Sequence, residues 1–172
     1  MKKSKGLVQI YTGDGKGKTT ASLGLAMRAV GRGFKVIMIQ FLKGEESGEL
    51  LFVSRYHPFE IVQLNDNNCF QQSEEELRVV VERTWTYAEE NVLSEKYDLV
   101  ILDEVFVAVS KGLLAAEDIL SLMQRKPEQV ELVLTGRNAP SEVVKEADLV
   151  TEMLMIKHPY TEGIGQREGI EL

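Results

Sequence analysis

Apolar residues along this chain gather in short, nearly continuous runs that alternate with stretches where they recur at helical spacing. Residues 7–11 (Leu-Val-Gln-Ile-Tyr) and 34–41 (Phe-Lys-Val-Ile-Met-Ile-Gln-Phe) read as buried strands, as do 97–102 and 130–134. Residues 60–64 form a weaker strand candidate, and a last one lies around 149–156. From Lys18 a helix is expected, with Leu23, Met27 and Val30 at i, i+4 and i+7 and Gly31 and Gly33 ending it. Residues 65–72 are polar and turn-rich, hence a loop. Ser73-Glu74-Glu75-Glu76 then has the form of a capping box opening a long helix, with Leu77, Val81, Ala88 and Val92 on one face. Trp85 belongs to that face and reads as core. Helical stretches follow around 105–113 and 117–125, and a short one after Pro140. The tail from Lys157 has neither a helical nor a strand period.

Near-continuous apolar strands alternating with helices predict a mostly parallel sheet of about six strands, covered by helices on both faces. The expected organisation is one α/β domain over residues 1–172. In such folds ligands bind beyond the carboxyl ends of the strands. Three polar clusters follow strands here: the glycine-rich segment after Tyr11, Asp103-Glu104, and Thr135-Gly136-Arg137. All three are therefore expected at one edge.

Composition narrows the class without deciding it. The 44% hydrophobic and 27% charged content is that of a globular protein. Twenty basic against 27 acidic residues leave a net charge of −7, which argues against nucleic acid or an anionic membrane as the main partner. Cys69 is the only cysteine, so no internal disulfide and no thiolate metal centre are expected. With no signal-peptide core and no long apolar run, the expected location is the cytoplasm.

The chemistry-bearing motif is Gly13-Asp14-Gly15-Lys16-Gly17-Lys18-Thr19-Thr20, lying between a strand and a helix. It meets the pattern G-x-x-x-x-G-K-[ST] at Gly17-Lys18-Thr19, with Thr12 at the first glycine position. Its glycines free the backbone N–H groups to surround phosphate oxygens at a helix N-terminus. This predicts a P-loop NTPase-like site for ATP, with Lys18 on the terminal phosphates and the Thr19 hydroxyl on Mg²⁺. Asp103-Glu104 closes a hydrophobic strand, where such proteins keep an acidic partner for Mg²⁺, and either carboxylate could approach the ion. Arg137 could hold phosphate or the ribose edge. No Ser-His-Asp order or second base presents itself, so the chemistry is expected to rest on positioning and electrostatics.

Together with these segments, Arg28-Ala29-Val30-Gly31, Gln40-Phe41-Leu42-Lys43-Gly44, Lys157-His158-Pro159-Tyr160 and the closing Gly163-Ile164 and Gly169-Ile170-Glu171 make the chain resemble the P-loop ATP:corrinoid adenosyltransferases. The resemblance implies transfer of the 5′-deoxyadenosyl group of ATP to cobalt(I) of a reduced corrinoid, cobalamin or a precursor, with release of triphosphate. It implies Thr19 and Glu104 as metal-side ligands, Lys18 and Glu104 as catalytic groups, and Arg137 as an ATP contact. A homodimer and a flavoprotein reductant are implied as partners. Family members often carry a Gly-Phe-Thr-Trp segment facing the corrin. Here the corresponding stretch is Asn68-Cys69-Phe70-Gln71-Gln72, in which Phe70 stands for one aromatic and the tryptophan is absent. The alternatives are a P-loop ATPase or kinase, and a non-catalytic ATP-dependent interaction module.

Overall fold

Six parallel strands form one sheet in the order β3-β2-β4-β5-β1-β6. A computed structural model provides this architecture and describes residues 5–44, 46–65 and 72–171. In chain order the elements are β1 (Val8–Thr12), α1 (Lys18–Val30), β2 (Val36–Gln40), α2 (Gly48–Tyr56), β3 (Glu60–Gln63) and α3 (Glu74–Leu93). There follow β4 (Leu99–Asp103), α4 (Val105–Ser110), α5 (Ala116–Arg125), β5 (Glu131–Thr135), α6 (Ser141–Glu146) and β6 (Leu149–Glu152), with a 3-10 turn at Pro159–Glu162. Each strand falls within or next to its expected run, and the sheet is wholly parallel.

The period of two along each strand divides the core between the two faces. Leu99 and Ile101 of β4, with Met38 and Val133, pack against Ala26 and its neighbours on α1. Val100 and Leu102, with Ile37, Ile39, Leu132 and Leu134, face the larger cluster that includes Leu77, Val81, Ala88 and Val92 of α3 and Ile119 and Leu122 of α5. Both faces of the central strands are thus buried, which is why their sequences are apolar without alternation. β6 is different: its residues are all exposed and, among the described residues, it pairs with β1 alone.

Two stretches depart from the sequence reading. α2 was not expected, because of its nine residues only Val53 is buried, leaving no apolar period to read. The tail contains one 3-10 turn, held by His158 Nδ1 accepting from Tyr160 N–H at 3.2 Å, a local contact without periodicity. The capping box is present as expected: Ser73 Oγ accepts from Glu76 N–H, and the Glu76 carboxylate accepts from Ser73 N–H at 2.8 Å. Among the described residues, no helix is long and apolar enough to cross a membrane.

Candidate functional site

Because every strand runs the same way, all carboxyl ends lie at one edge, and the register determines which end residues meet. Gln40 pairs with Asp103 across β2 and β4, while Leu102 pairs with Leu134 across β4 and β5, bringing Thr135 beside Asp103. β5 also separates the loop-bearing β1 from β4. The loop crosses that gap through Thr19, whose hydroxyl donates to Asp103 Oδ1 at 3.0 Å.

The loop needs its glycines for reasons the structure makes specific. Gly13 and Gly17 have φ of 95° and 121°, in the region that disfavours side chains. Gly15 lies under the chain that leaves β6: its N–H donates to the Met153 carbonyl at 2.7 Å, and a Cβ there would come within 2.6 Å of the Leu154 carbonyl oxygen. Thr12, at the first glycine position of the motif, puts its hydroxyl to use. It accepts from Ala139 N–H at 3.2 Å and so ties the loop to the turn that bears Arg137.

Lys18 is buried, and its Nζ donates to the carbonyls of Gly13 at 2.7 Å and Gly15 at 2.9 Å. Burial lowers its pKa, chiefly against the opposing pull of Glu104. Asp14, Lys16 and Thr20 of the motif are exposed, with Lys16 Nζ donating to the Ile170 carbonyl at 3.1 Å. A cavity of about 300 Å³ opens between the loop residues Gly15 and Lys16 and the tail residues Leu154, Met155, Lys157 and His158.

Asp103 and Glu104 are not equivalent. Asp103 is fully buried and accepts from Thr19 and Thr135 hydroxyls at Oδ1 (3.0 and 2.7 Å) and from Gln40 Nε2 and Lys43 Nζ at Oδ2 (3.0 and 3.2 Å). Four donors on two oxygens satisfy the acceptor capacity of a carboxylate that has no water around it. Glu104 begins α4 with φ 59° and ψ 21°, a left-handed conformation costing a non-glycine residue on the order of 1–3 kcal/mol. Its N–H is held by Thr135 Oγ1 at 2.9 Å, but its carboxylate accepts no hydrogen bond among the described residues. Burial first, then the neighbouring Asp103, pushes the Glu104 carboxyl above its usual range, while Lys43, Lys18 and Arg137 pull it down. Arg137 itself is exposed on a turn whose Gly136 takes φ 138° against Phe106, where a Cβ would approach within 2.8 Å.

The structure therefore brings Lys18, Thr19, Asp103, Glu104 and Arg137 to one edge. Phe70 lies outside the described residues. Sequence reasoning noted the segments that hold Gln40, Lys43 and Thr135 without giving these residues a role, and it missed Glu49. The available signal was that polar residues end adjacent apolar strands, but only strand order and register show that they touch.

The oxygen donors of Thr19 and Glu104 are the hard ligands that Mg²⁺ prefers. A carboxylate and a hydroxyl beside a phosphate loop suit an ion that completes its shell with phosphate and water. The residues present fit that ion.

The family model described as ATP:corrinoid adenosyltransferase BtuR/CobO/CobP matches residues 4–172. A corrinoid adenosyltransferase of Sinorhizobium sp is 35% identical, with 97% of this chain and 80% of the relative covered. Corrinoid adenosyltransferases of Pseudomonas aeruginosa and Escherichia coli K12 are 32% and 31% identical, each covering 97% of this chain and 84% and 86% of the relative. The crystal structure of flagellar accessory protein FlaH from Methanocaldococcus jannaschii superposes with a TM-score of 0.55 at 11% identity. It covers 86% of this chain and 71% of that one, a likeness of fold alone.

Proposed function

The chain belongs to the ATP:corrinoid adenosyltransferase family, and on that premise we propose how its site performs the transfer. The reaction is attack by the electron pair of corrinoid cobalt(I) on C5′ of ATP. A cobalt–carbon bond forms, the C5′–oxygen bond breaks, and triphosphate departs with the bonding pair as the metal becomes cobalt(III). Cobalt(I) needs no general base, so the protein's task is to orient the nucleotide and stabilise the charge that gathers on the leaving group.

One observation supports this most directly: the phosphate loop and the acidic end of β4 meet, with the Thr19 hydroxyl donating to Asp103 at 3.0 Å and the Lys18 ammonium folded into the loop on the Gly13 and Gly15 carbonyls. Lys18 exchanges its two carbonyl acceptors for phosphate oxygens, and the loop N–H groups at the start of α1 add the positive end of the helix dipole. Arg137 holds the nucleotide from the β5 side. Thr19 Oγ1 and Glu104 are the groups that would hold Mg²⁺, with Asp103 fixing the direction of the Thr19 hydroxyl. The ion, when bound, offsets negative charge on the triphosphate. A homodimer and a flavoprotein that reduces the corrinoid are part of the same proposal.

The test is incubation with ATP, Mg²⁺ and chemically reduced cobalamin under anaerobic conditions, with analysis of both products. Adenosylcobalamin and triphosphate are expected, and Lys18→Ala abolishes their formation. ADP with phosphate points to a kinase or ATPase. Tight ATP binding without turnover points to a non-catalytic module.

A further inference from the structure

Lys43 lies just past β2, where Leu42 takes φ 57° and turns the chain back toward the site. Phe41 N–H still donates to the Asp103 carbonyl at 2.9 Å, so this turn is fixed against the end of β4. The Lys43 ammonium sits between two carboxylates, 3.2 Å from Asp103 Oδ2 and 3.5 Å from Glu49 Oε1. The Asp103 side chain is fully buried, whereas those of Lys43 and Glu49 are 31% and 19% exposed. Gln40 Nε2 makes the same bridge, 3.0 Å to Asp103 and 3.3 Å to Glu49. Its orientation is set by Gln63, whose Nε2 donates to Gln40 Oε1 at 2.8 Å and leaves the Gln40 amide nitrogen facing the acids.

A neutral amide alone cannot balance Asp103, Glu104 and Glu49 gathered at one edge. Lys43 supplies the charge, and Glu49 at the start of α2 keeps the ammonium in place. We propose that Lys43 is a positioning residue of the metal-side site: anchored by Glu49, it holds the Asp103 carboxylate that directs the Thr19 hydroxyl toward a divalent cation. This rests on the reading of Thr19 and Glu104 as the groups that hold Mg²⁺. It makes α2 a structural arm of the site, although no motif on that helix marks it.

The experiment is calorimetric titration of the intact protein with ATP, in the presence and absence of Mg²⁺. Lys43→Met weakens ATP binding about 10- to 100-fold when Mg²⁺ is present, the range for losing a partner that orients a metal ligand, and leaves metal-free ATP binding unchanged. Lys43→Arg keeps the ion pair and recovers most of the loss. Glu49→Gln gives a smaller loss in the same direction. Equal weakening with and without Mg²⁺ would mean that Lys43 contacts phosphate directly, and overturns the proposal. So does a Lys43→Met protein with wild-type affinity in both conditions, or a wild-type protein whose ATP affinity ignores Mg²⁺. If circular dichroism shows Lys43→Met unfolded, Glu49→Gln carries the test alone, since its site partner Lys43 remains. A wild-type protein that binds ATP with Mg²⁺ but does not alkylate reduced cobalamin refutes the proposed function while leaving this binding test intact.

Discussion

Asp103 and Glu104 are neighbours in sequence and differ in what the fold does to them. Asp103 spends its acceptor capacity on Thr19, Thr135, Gln40 and Lys43, whereas the Glu104 carboxylate, pulled on by the charges of Lys43, Lys18 and Arg137, accepts no hydrogen bond among the described residues. Their substitutions should therefore fail differently. Glu104→Gln is expected to keep its denaturation midpoint and lose on the order of 10²-fold or more in turnover, as when one preorganised electrostatic group is removed. Asp103→Asn can turn an amide nitrogen toward the donors Gln40 Nε2 and Lys43 Nζ, leaving buried hydrogen-bonding groups unsatisfied, and is expected to lower the free energy of unfolding by about 1–3 kcal/mol, measured by urea titration. The acidic pair was legible in the sequence because it ends an apolar strand. Its division of labour was not, because that depends on Thr135 and Gln40, brought alongside only by register. Gly15 gives a third case: in Gly15→Ala the methyl group meets the backbone of Met153 and Leu154, which cannot yield as a side chain would. ATP binding should weaken markedly in a titration, with the fold retained.

At the scale of elements, legibility followed burial. The central strands bury both faces and appear in the sequence as unbroken apolar runs; α3 buries one stripe and shows a helical period. α2 buries only Val53 and exposes Leu51, Phe52 and Tyr56, so neither pattern is present to be read, yet its Glu49 reaches the site. The start of α3 was legible to the residue because a capping box is local chemistry. Ser73→Ala removes the acceptor for Glu76 N–H and should cost about 1 kcal/mol of unfolding free energy, checked by thermal or urea denaturation.

For the whole molecule, alternation of strands and helices implied the parallel sheet and its ligand-binding edge, but not the strand order that inserts β5 between β1 and β4. That order arises from non-local packing, and it is what makes Thr19 span from the loop to Asp103. Global stability also carries an alkaline limit. Burial and a 2.9 Å hydrogen bond to Glu60 push the Tyr97 hydroxyl up to about 12, from a usual 10.0. A raised pKa favours the protonated folded form, so this contribution is complete below pH 10.0 and is lost as pH rises toward about 12. Tyr97→Phe should remove that part of the pH dependence of unfolding. The central claim concerns which bond of ATP breaks, and an isotopic label reports it directly. ATP carrying heavy oxygen at the bridge between C5′ and the α-phosphorus is given to the protein with Mg²⁺ and reduced cobalamin, and the products are weighed by mass spectrometry. If C5′ is attacked, all of the label leaves in triphosphate and none stays with the adenosyl group. Label retained on adenosine, or found in AMP or ADP, would mean that phosphorus is the electrophile and would contradict the account.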